Sequence, residues 1–347
     1  HERSSAASDV YKRQGMNEPI RLREVWKSFG GRPGASPAEL LQSSEARVAV
    51  HDVSLEIRAG EIFVVMGLSG SGKSTLLRMI NGLISPSLGV VEIEGRPLQR
   101  FSRGELLALR RRNMAMVFQS FALFPQRSAL ENAAFGLEMA GVPRRQRLAK
   151  AQQALERVGL GGDLHRTPDQ LSGGMRQRVG LARALALDPP VLLMDEAFSA
   201  LDPLIRADMQ DLLLDLQREH RRTIVFISHD LDEAVRIGDR IALMQDGRLL
   251  QCDTAETLFR SPAEPAVAEF FRGVDPAGVL TLGAIAEPSP LTDGWDPKDP
   301  DLTVLSSAML LKEAIPIVTA ANRPVAVVGN DHPVSYTHLT LPTIVRG

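Results

Sequence analysis

The sequence predicts an α/β fold, and three stretches carry that prediction. Ile62-Phe63-Val64-Val65-Met66 is wholly apolar and rich in β-branched side chains, as a buried strand is. Val191-Leu192-Leu193-Met194, ending in Asp195 and Glu196, has the same character, and so does Thr223-Ile224-Val225-Phe226-Ile227-Ser228, which delivers His229. Helical spacing lies between them, most clearly in the stripe Ile205, Met209, Leu212, Leu213 and Leu216, and strands alternating with helices mark the α/β class.

Ahead of the first buried strand, residues 20–25 alternate apolar and polar side chains and residues 48–57 alternate again, which suggests an antiparallel sheet. Between them, residues 30–46 begin Gly30-Gly31-Arg32-Pro33-Gly34 and read as an insertion with a short helical patch at Glu39-Leu40-Leu41. Phe29 either packs on its strand or is held out to stack on a base, and Trp26 is its rival for the second role.

The first buried strand runs into Gly67-Leu68-Ser69-Gly70-Ser71-Gly72-Lys73-Ser74-Thr75 and then a helix, the context required by the pattern G-x-x-x-x-G-K-[ST]. Its glycines let backbone amides wrap around phosphate oxygens, and the positive end of the helix points at the same anion. Lys73 is placed to bridge β- and γ-phosphates, and Ser74 to give Mg²⁺ a hard oxygen ligand. A glycine-rich turn without ligand is the plain alternative; the flanking strand and helix favour nucleotide.

Residues 90–95 read as strand and turn, and Ser102-Arg103-Gly104-Glu105 is a capping box opening a helix whose closing arginines, 110–112, make a solvated face. The apolar strand 114–118 ends at Gln119, an ordinary surface residue unless it faces the nucleotide, where it can ligate Mg²⁺ and sense the γ-phosphate. Residues 129–158 read as helices broken at Gly141-Val142-Pro143, an insert leading to Leu171-Ser172-Gly173-Gly174-Met175-Arg176-Gln177-Arg178. There Ser172 caps a helix whose first amides offer a second anion site, or an ordinary capped helix begins.

Asp195 suits the Mg²⁺ shell, while Glu196 suits polarising a water in line with the γ-phosphate. Ser199-Ala200-Leu201-Asp202 leads to Pro203 at a helix start. His229 is a structural histidine or, at a strand end, a donor to the γ-phosphate. Asp246-Gly247 between two short apolar runs signals a hairpin.

A chain of 347 residues allows roughly two domains, and 44% hydrophobic residues supply a sizeable core. Lys+Arg 40 against Asp+Glu 42 leaves a net charge of −2 and no overall field for nucleic acid, which is therefore not an expected partner. Cys252 is the only cysteine, so no intramolecular disulfide forms and a cytosolic compartment is the easier fit. The seven histidines show no metal-ligand spacing. No run approaches ~18–20 consecutive apolar residues, so a membrane role needs a partner chain.

From Asp275 the character changes. Residues 285–302 carry Pro288, Pro290, Pro297 and Pro300 among several aspartates, as a linker would, and a helix at 308–315 and a strand at 324–328 open a second domain. Residues 4–14 and 334–343, which hold Tyr11 and Tyr336, resemble translated adapter sequence, and Met16 is the expected start.

With the phosphate loop, Gln119, residues 171–174, Asp195-Glu196, Asp202 and His229 in this order, the chain resembles the ATP-binding subunits of ABC transporters over about residues 19–272. The resemblance implies a P-loop NTPase domain of ABC ATPase type at residues 16–272, with a RecA-like core, an antiparallel β subdomain and a helical subdomain. A linker at 273–301 and a partial α+β CBS-like regulatory domain at 302–333 would follow, between non-native flanks at 1–15 and 334–347. It makes Phe29 the adenine-stacking aromatic, Lys73 and Ser74 the binders of phosphate and Mg²⁺, and Gln119 the Q-loop residue. Asp195 joins the Mg²⁺ site, Glu196 is the catalytic base, Asp202 belongs to the D-loop, and His229 is the switch histidine. Ser172, Gly173 and Gly174, with Gln177 beside them, would complete the γ-phosphate site of a second copy across an ATP sandwich.

Residues 116–125, residues 195–206 and the ending Phe270-Phe271-Arg272-Gly273-Val274-Asp275 are similar to the glycine betaine/proline and choline importers, which also share Ala197 where many ABC ATPases have Pro. That subgroup implies an ATPase peripheral to the cytoplasmic face of the inner membrane, working with a transmembrane permease and indirectly with a substrate-binding protein. Motion would pass through Gln119 and the surface at 121–124. Two other classes compete. A soluble ABC ATPase acting on DNA or ribosomes usually carries paired cassettes or coiled-coil inserts, and a nucleotide sensor without turnover does not need Glu196.

Overall fold

The computed structural model describes residues 20–30, 34–43, 45–120, 122–285, 303–320 and 325–328; the expected flanks, Phe121 and residues 286–302 lie outside them. The chain divides into two units, residues 1–254 and 255–347, each described by itself.

In the first unit β1 (Ile20–Phe29) pairs antiparallel with β2 (Arg47–Ile57), with irregular register where Glu24 and Asp52 take φ of 48° and 54°. Helix α1 (Pro37–Gln42) lies in the insertion between them, starts at a Ser36/Glu39 capping box, and buries Leu40 beside Trp26. β3 (Ile62–Met66) opens a second sheet and leads to α2 (Lys73–Ile80); β4 (Leu88–Ile93) and β5 (Arg96–Pro97) return to the first sheet, giving the order β2-β1-β4-β5. After α3 (Arg103–Arg112), the strands β6 (Met114–Phe118), β7 (Val191–Asp195), β8 (Thr223–Ser228), β9 (Arg240–Gln245) and β10 (Arg248–Asp253) complete the second sheet. Its order is β10-β9-β3-β8-β7-β6, parallel except for the β9-β10 hairpin at Asp246-Gly247. Phe63, Val65, Leu193, Val225 and Ile227 pack on Leu76, Leu77, Met79 and Ile80 of α2 in one core, which is why these strands read as unbroken apolar runs.

The helical insert is α4 (Ala129–Met139), α5 (Arg144–Arg157) and α6 (Gly173–Leu185), packed on one another. Asn132, wholly buried on α4, accepts from Phe124 N at 2.8 Å and donates to the Phe124 and Arg127 carbonyls, fixing the segment from Phe124 to Arg127. Then come α7 (Pro203–His220) and α8 (Leu231–Ile237). Among the described residues no helix is long and apolar enough to cross a membrane.

Cys252 lies on β10 with the Arg240 guanidinium 3.3 Å from its Sγ, and burial pushes the thiol up to about 11. At pH 8 the reactive thiolate is therefore scarce. Alkylation followed by mass spectrometry is expected to modify the native chain at least tenfold more slowly than the urea-unfolded chain.

In the second unit, α9 (Ala255–Arg260) and α10 (Pro265–Phe270) precede α11 (Leu282–Ile285), β11 (Thr303–Ser306), α12 (Leu311–Ala320) and β12 (Val325–Val328), with β11 and β12 parallel. The division falls ahead of the boundary expected at 272, and α11 lies within the stretch 273–301 expected as a linker. Leu282 is wholly buried with Leu305, Leu311 and Val325, and its amide donates to the Met309 carbonyl; Thr281 Oγ1 donates to Glu256 at 2.8 Å, joining α9 to the same unit.

Candidate functional site

Parallel strands end side by side at one edge of the second sheet. Met66 is paired with Ser228, Phe118 with Asp195, and Asp195 with Ile227, so Gly67, Gln119, Glu196 and His229 leave that edge together. Ligands of α/β sheets bind at such a carboxyl edge.

Gly72 is the N-cap of α2 at φ 95°, with no side chain capping the helix amides. A Cβ at Gly72 would collide with the Ala49 carbonyl oxygen and one at Gly67 with that of Met244, so the loop lies where only glycine backbone fits. The hairpin turn braces it from behind: Gly247 N donates to Ser71 O at 3.2 Å, and His51 Nε2 is 3.0 Å from Asp246 O.

Lys73 is 4% exposed, and its Nζ donates to Gly67 O at 2.7 Å and Leu68 O at 2.9 Å, with Glu196 Oε1 at 4.0 Å. Burial pushes its pKa down, against the pull of the Glu196 and Asp195 carboxylates. The Ser71 hydroxyl is buried with no hydrogen-bond partner among the described residues, a donor held inside an anion cradle. Ser74 Oγ donates to Asp195 Oδ1 at 2.8 Å. A hydroxyl and a carboxylate oxygen at that separation are the hard donors a divalent cation such as Mg²⁺ takes, so these residues fit it.

Glu196 is the meeting point. Gln119 Nε2 is 3.5 Å and His229 Nδ1 3.5 Å from its Oε2, while Gln119 also donates to Ser199 Oγ at 3.0 Å. Its backbone sits at φ 46°, a left-handed conformation that costs a non-glycine residue of order 1–2 kcal/mol. Strain of that kind concentrates where a fold must aim one side chain.

A 440 Å³ cavity covers the loop, and residues 69–75, Phe29, Arg47, Arg78 and Glu196 are among those lining it. Phe29 is 45% exposed, whereas Trp26 is 8% exposed and packed with Ala35 and Leu40. The two rivals are thus separated: one faces the cavity, the other is core. With Phe29 in the base-stacking role that the resemblance implies, Phe29→Ala would weaken ATP binding by about 1–3 kcal/mol, with the melting temperature unchanged. Trp26→Ala should do the reverse, losing about 3–5 kcal/mol of stability; fluorescent-nucleotide titration and thermal melts check both.

Ser172, Gly173, Gly174, Gln177 and Asp202 do not line this cavity. Ser172 Oγ accepts from Met175 N at 3.3 Å and Asp202 Oδ1 from Ile205 N at 3.0 Å, each capping a helix. Gly174 abuts Ile205, while a Cβ at Gly173 would meet nothing closer than the tip of Arg176 at 4.0 Å. Gln177 is wholly buried, and neither amide atom has a partner among the described residues.

The sequence reading missed Ser199 as the partner of Gln119, the arginines Arg47 and Arg78 in the cavity wall, and the hairpin as brace of the phosphate loop. The Asp246-Gly247 signal was present but marked a turn and not its contact.

The model of the family described as ABC transporter matches residues 50–199. The glycine betaine/proline betaine transport system ATP-binding protein ProV of Salmonella typhimurium is 52% identical over 293 residues, covering 80% of this chain and 73% of its own length. The glycine betaine transport ATP-binding protein OpuAA of Bacillus subtilis is 52% identical over 275 residues, 77% of this chain and 66% of that protein. Among solved structures, a dimeric post-hydrolysis state of the ATP-binding cassette MJ0796 bound to ADP and Pi is 34% identical with a TM-score of 0.59, covering 68% of this chain and 98% of that one.

Proposed function

The chain belongs to the ABC transporter ATP-binding family, whose members are ATPases coupled to transport, and on that premise we propose that two copies close around ATP to drive import of glycine betaine, proline or choline. The observation that carries the reading is the convergence of Lys73, Gln119 and His229 on Glu196 at the sheet edge, beside Ser74 and Asp195.

In this reading residues 67–75 hold the phosphates, Lys73 leaves its carbonyl partners for the β- and γ-oxygens, and the Ser71 hydroxyl gains a partner. Ser74, Asp195 and Gln119 would hold Mg²⁺, whose charge offsets that of the phosphates. Glu196 accepts a proton from the attacking water, and His229 donates toward the terminal phosphate. Phe29 stacks on the base.

Each chain carries half of a working site. Ser172, Gly173, Gly174 and Gln177, with Asp202, would close over the ATP of the second copy. Two features support this. Among the described residues nothing crowds a Cβ at Gly173, and Leu68 and Leu204 are 65% and 75% exposed beside the two half-sites. The permease would dock on the apolar groove of 330 Å³ between β6 and α4, where Phe118 and Phe124 are each 38% exposed. The chain would sit at the cytoplasmic face, with a substrate-binding protein as an indirect partner and residues 302–333 as part of a CBS-like regulatory domain.

Uptake of labelled glycine betaine tests the reading in a strain lacking other such importers. Supplying this chain with its permease and binding protein is expected to restore uptake, and supplying the Glu196→Gln form is not. Equal uptake with and without the chain would overturn it and leave the soluble ABC ATPase class standing.

A further inference from the structure

His229 is half exposed, and its ring touches only the Glu196 carboxylate among the contacts described above. What holds its loop is the pair of residues around it. Ser228 Oγ takes the Asp230 amide at 3.0 Å and is bonded to the Glu233 carboxylate, which Gln210 of α7 also reaches at 3.2 Å. Asp230 caps α8 through Oδ1, accepting from Glu233 N at 3.1 Å, and turns Oδ2 to Arg206 Nη1 at 2.9 Å. The other terminal nitrogen of Arg206 donates to Leu201 O at 3.2 Å, in the turn that ends at Asp202. One guanidinium therefore spans the turn before α7 and the loop after β8. Its Nε is buried without a partner among the described residues, which leaves a third donor for a shifted position of either segment.

We propose that Arg206 is a positioning residue that locks the His229 loop to the Leu201-Asp202 turn, so that closure of a second copy on that turn is delivered to His229. A planar fork is suited to this because it fixes an angle as well as a distance, which a lysine ammonium cannot. The inference rests on the role given to His229 under Proposed function.

The test is steady-state hydrolysis of Mg-ATP by the full chain carrying Arg206→Gln or Arg206→Lys, each in the wild-type and the His229→Ala background. A small displacement of a reacting group costs rate more than binding. Arg206→Gln is therefore expected to lower kcat about tenfold with KM for ATP unchanged, and Arg206→Lys to recover part of the loss. In the His229→Ala background the same substitution should change kcat less than about twofold, because the group it positions is gone. An equal loss in both backgrounds, or a rise in KM at unchanged kcat, would overturn the proposal. If Arg206→Gln melts below the assay temperature, Arg206→Lys carries the same comparison. Wild-type rate in His229→Ala would sink the reading of His229 itself; a slow His229→Ala with a fast Arg206→Gln sinks only this inference.

Discussion

Glu196→Gln is expected to lower ATP hydrolysis by about 10²–10⁴-fold, the range set by a lost general base, while ATP still binds. The substitution keeps the Cβ and the length of the side chain, so the left-handed backbone at φ 46° and the contacts to Gln119 and His229 have no steric reason to change. What disappears is a negative charge 4.0 Å from Lys73 and beside Asp195 and the incoming phosphates. In the role proposed for Glu196 its loss would remove the proton acceptor and lessen repulsion with bound ATP, so affinity should hold or rise as turnover falls. Single-turnover hydrolysis of radiolabelled ATP, run beside nucleotide binding, separates the two. Turnover unchanged in Glu196→Gln would show that the base lies elsewhere.

Lys73→Ala is expected to weaken ATP binding by about 1.5–3 kcal/mol, the range for a hydrogen bond to a charged group, and to leave no measurable hydrolysis. The effect on folding should be much smaller. The ammonium is buried against the carbonyls of Gly67 and Leu68, and burial already works against its charge. Deleting it takes the donor from the Gly67 carbonyl, while the Leu68 carbonyl still accepts from Ser71 N at 3.2 Å, and it also relieves a desolvated cation, so the terms oppose one another. Isothermal titration with ATP and a thermal melt of the same sample report the contrast. A melting point that collapses while ATP binding persists would make Lys73 a structural residue.

The placement of the candidate residues at strand ends was legible because an apolar run that stops at a polar residue marks a position the chain aims outward. Gln119, Asp195, Glu196 and His229 all follow such runs, and the phosphate loop carries its own spacing. Strand order was not legible: nothing local tells that β3 lies between β9 and β8, and only that order puts Gly67, Glu196 and His229 in one row. The contact of Gln119 with Ser199 and the fork of Arg206 join segments far apart in sequence, and an arginine on a helix reads as surface until its partner is in place. Phe29 and Trp26 could not be told apart because both sit on β1, and which one is buried depends on α1 in the insertion. The division after residue 254 was not legible for a related reason. Thr281 and Leu282 stand among turn-forming residues, and their partners, Glu256 and Met309, lie 25 or more positions away.

If the phosphate loop is half of a site and Ser172, Gly173 and Gly174 of a second copy supply the other half, bound ATP should pair two chains. The most direct test is the molar mass of the Glu196→Gln chain by size exclusion with light scattering, with and without Mg-ATP. The expected result is 37.8 kDa without nucleotide and twice that mass with it, and reversion to the single mass when Ser172 is also replaced by Arg. A chain that stays at the single mass with ATP bound, or that doubles regardless of Ser172, would contradict it.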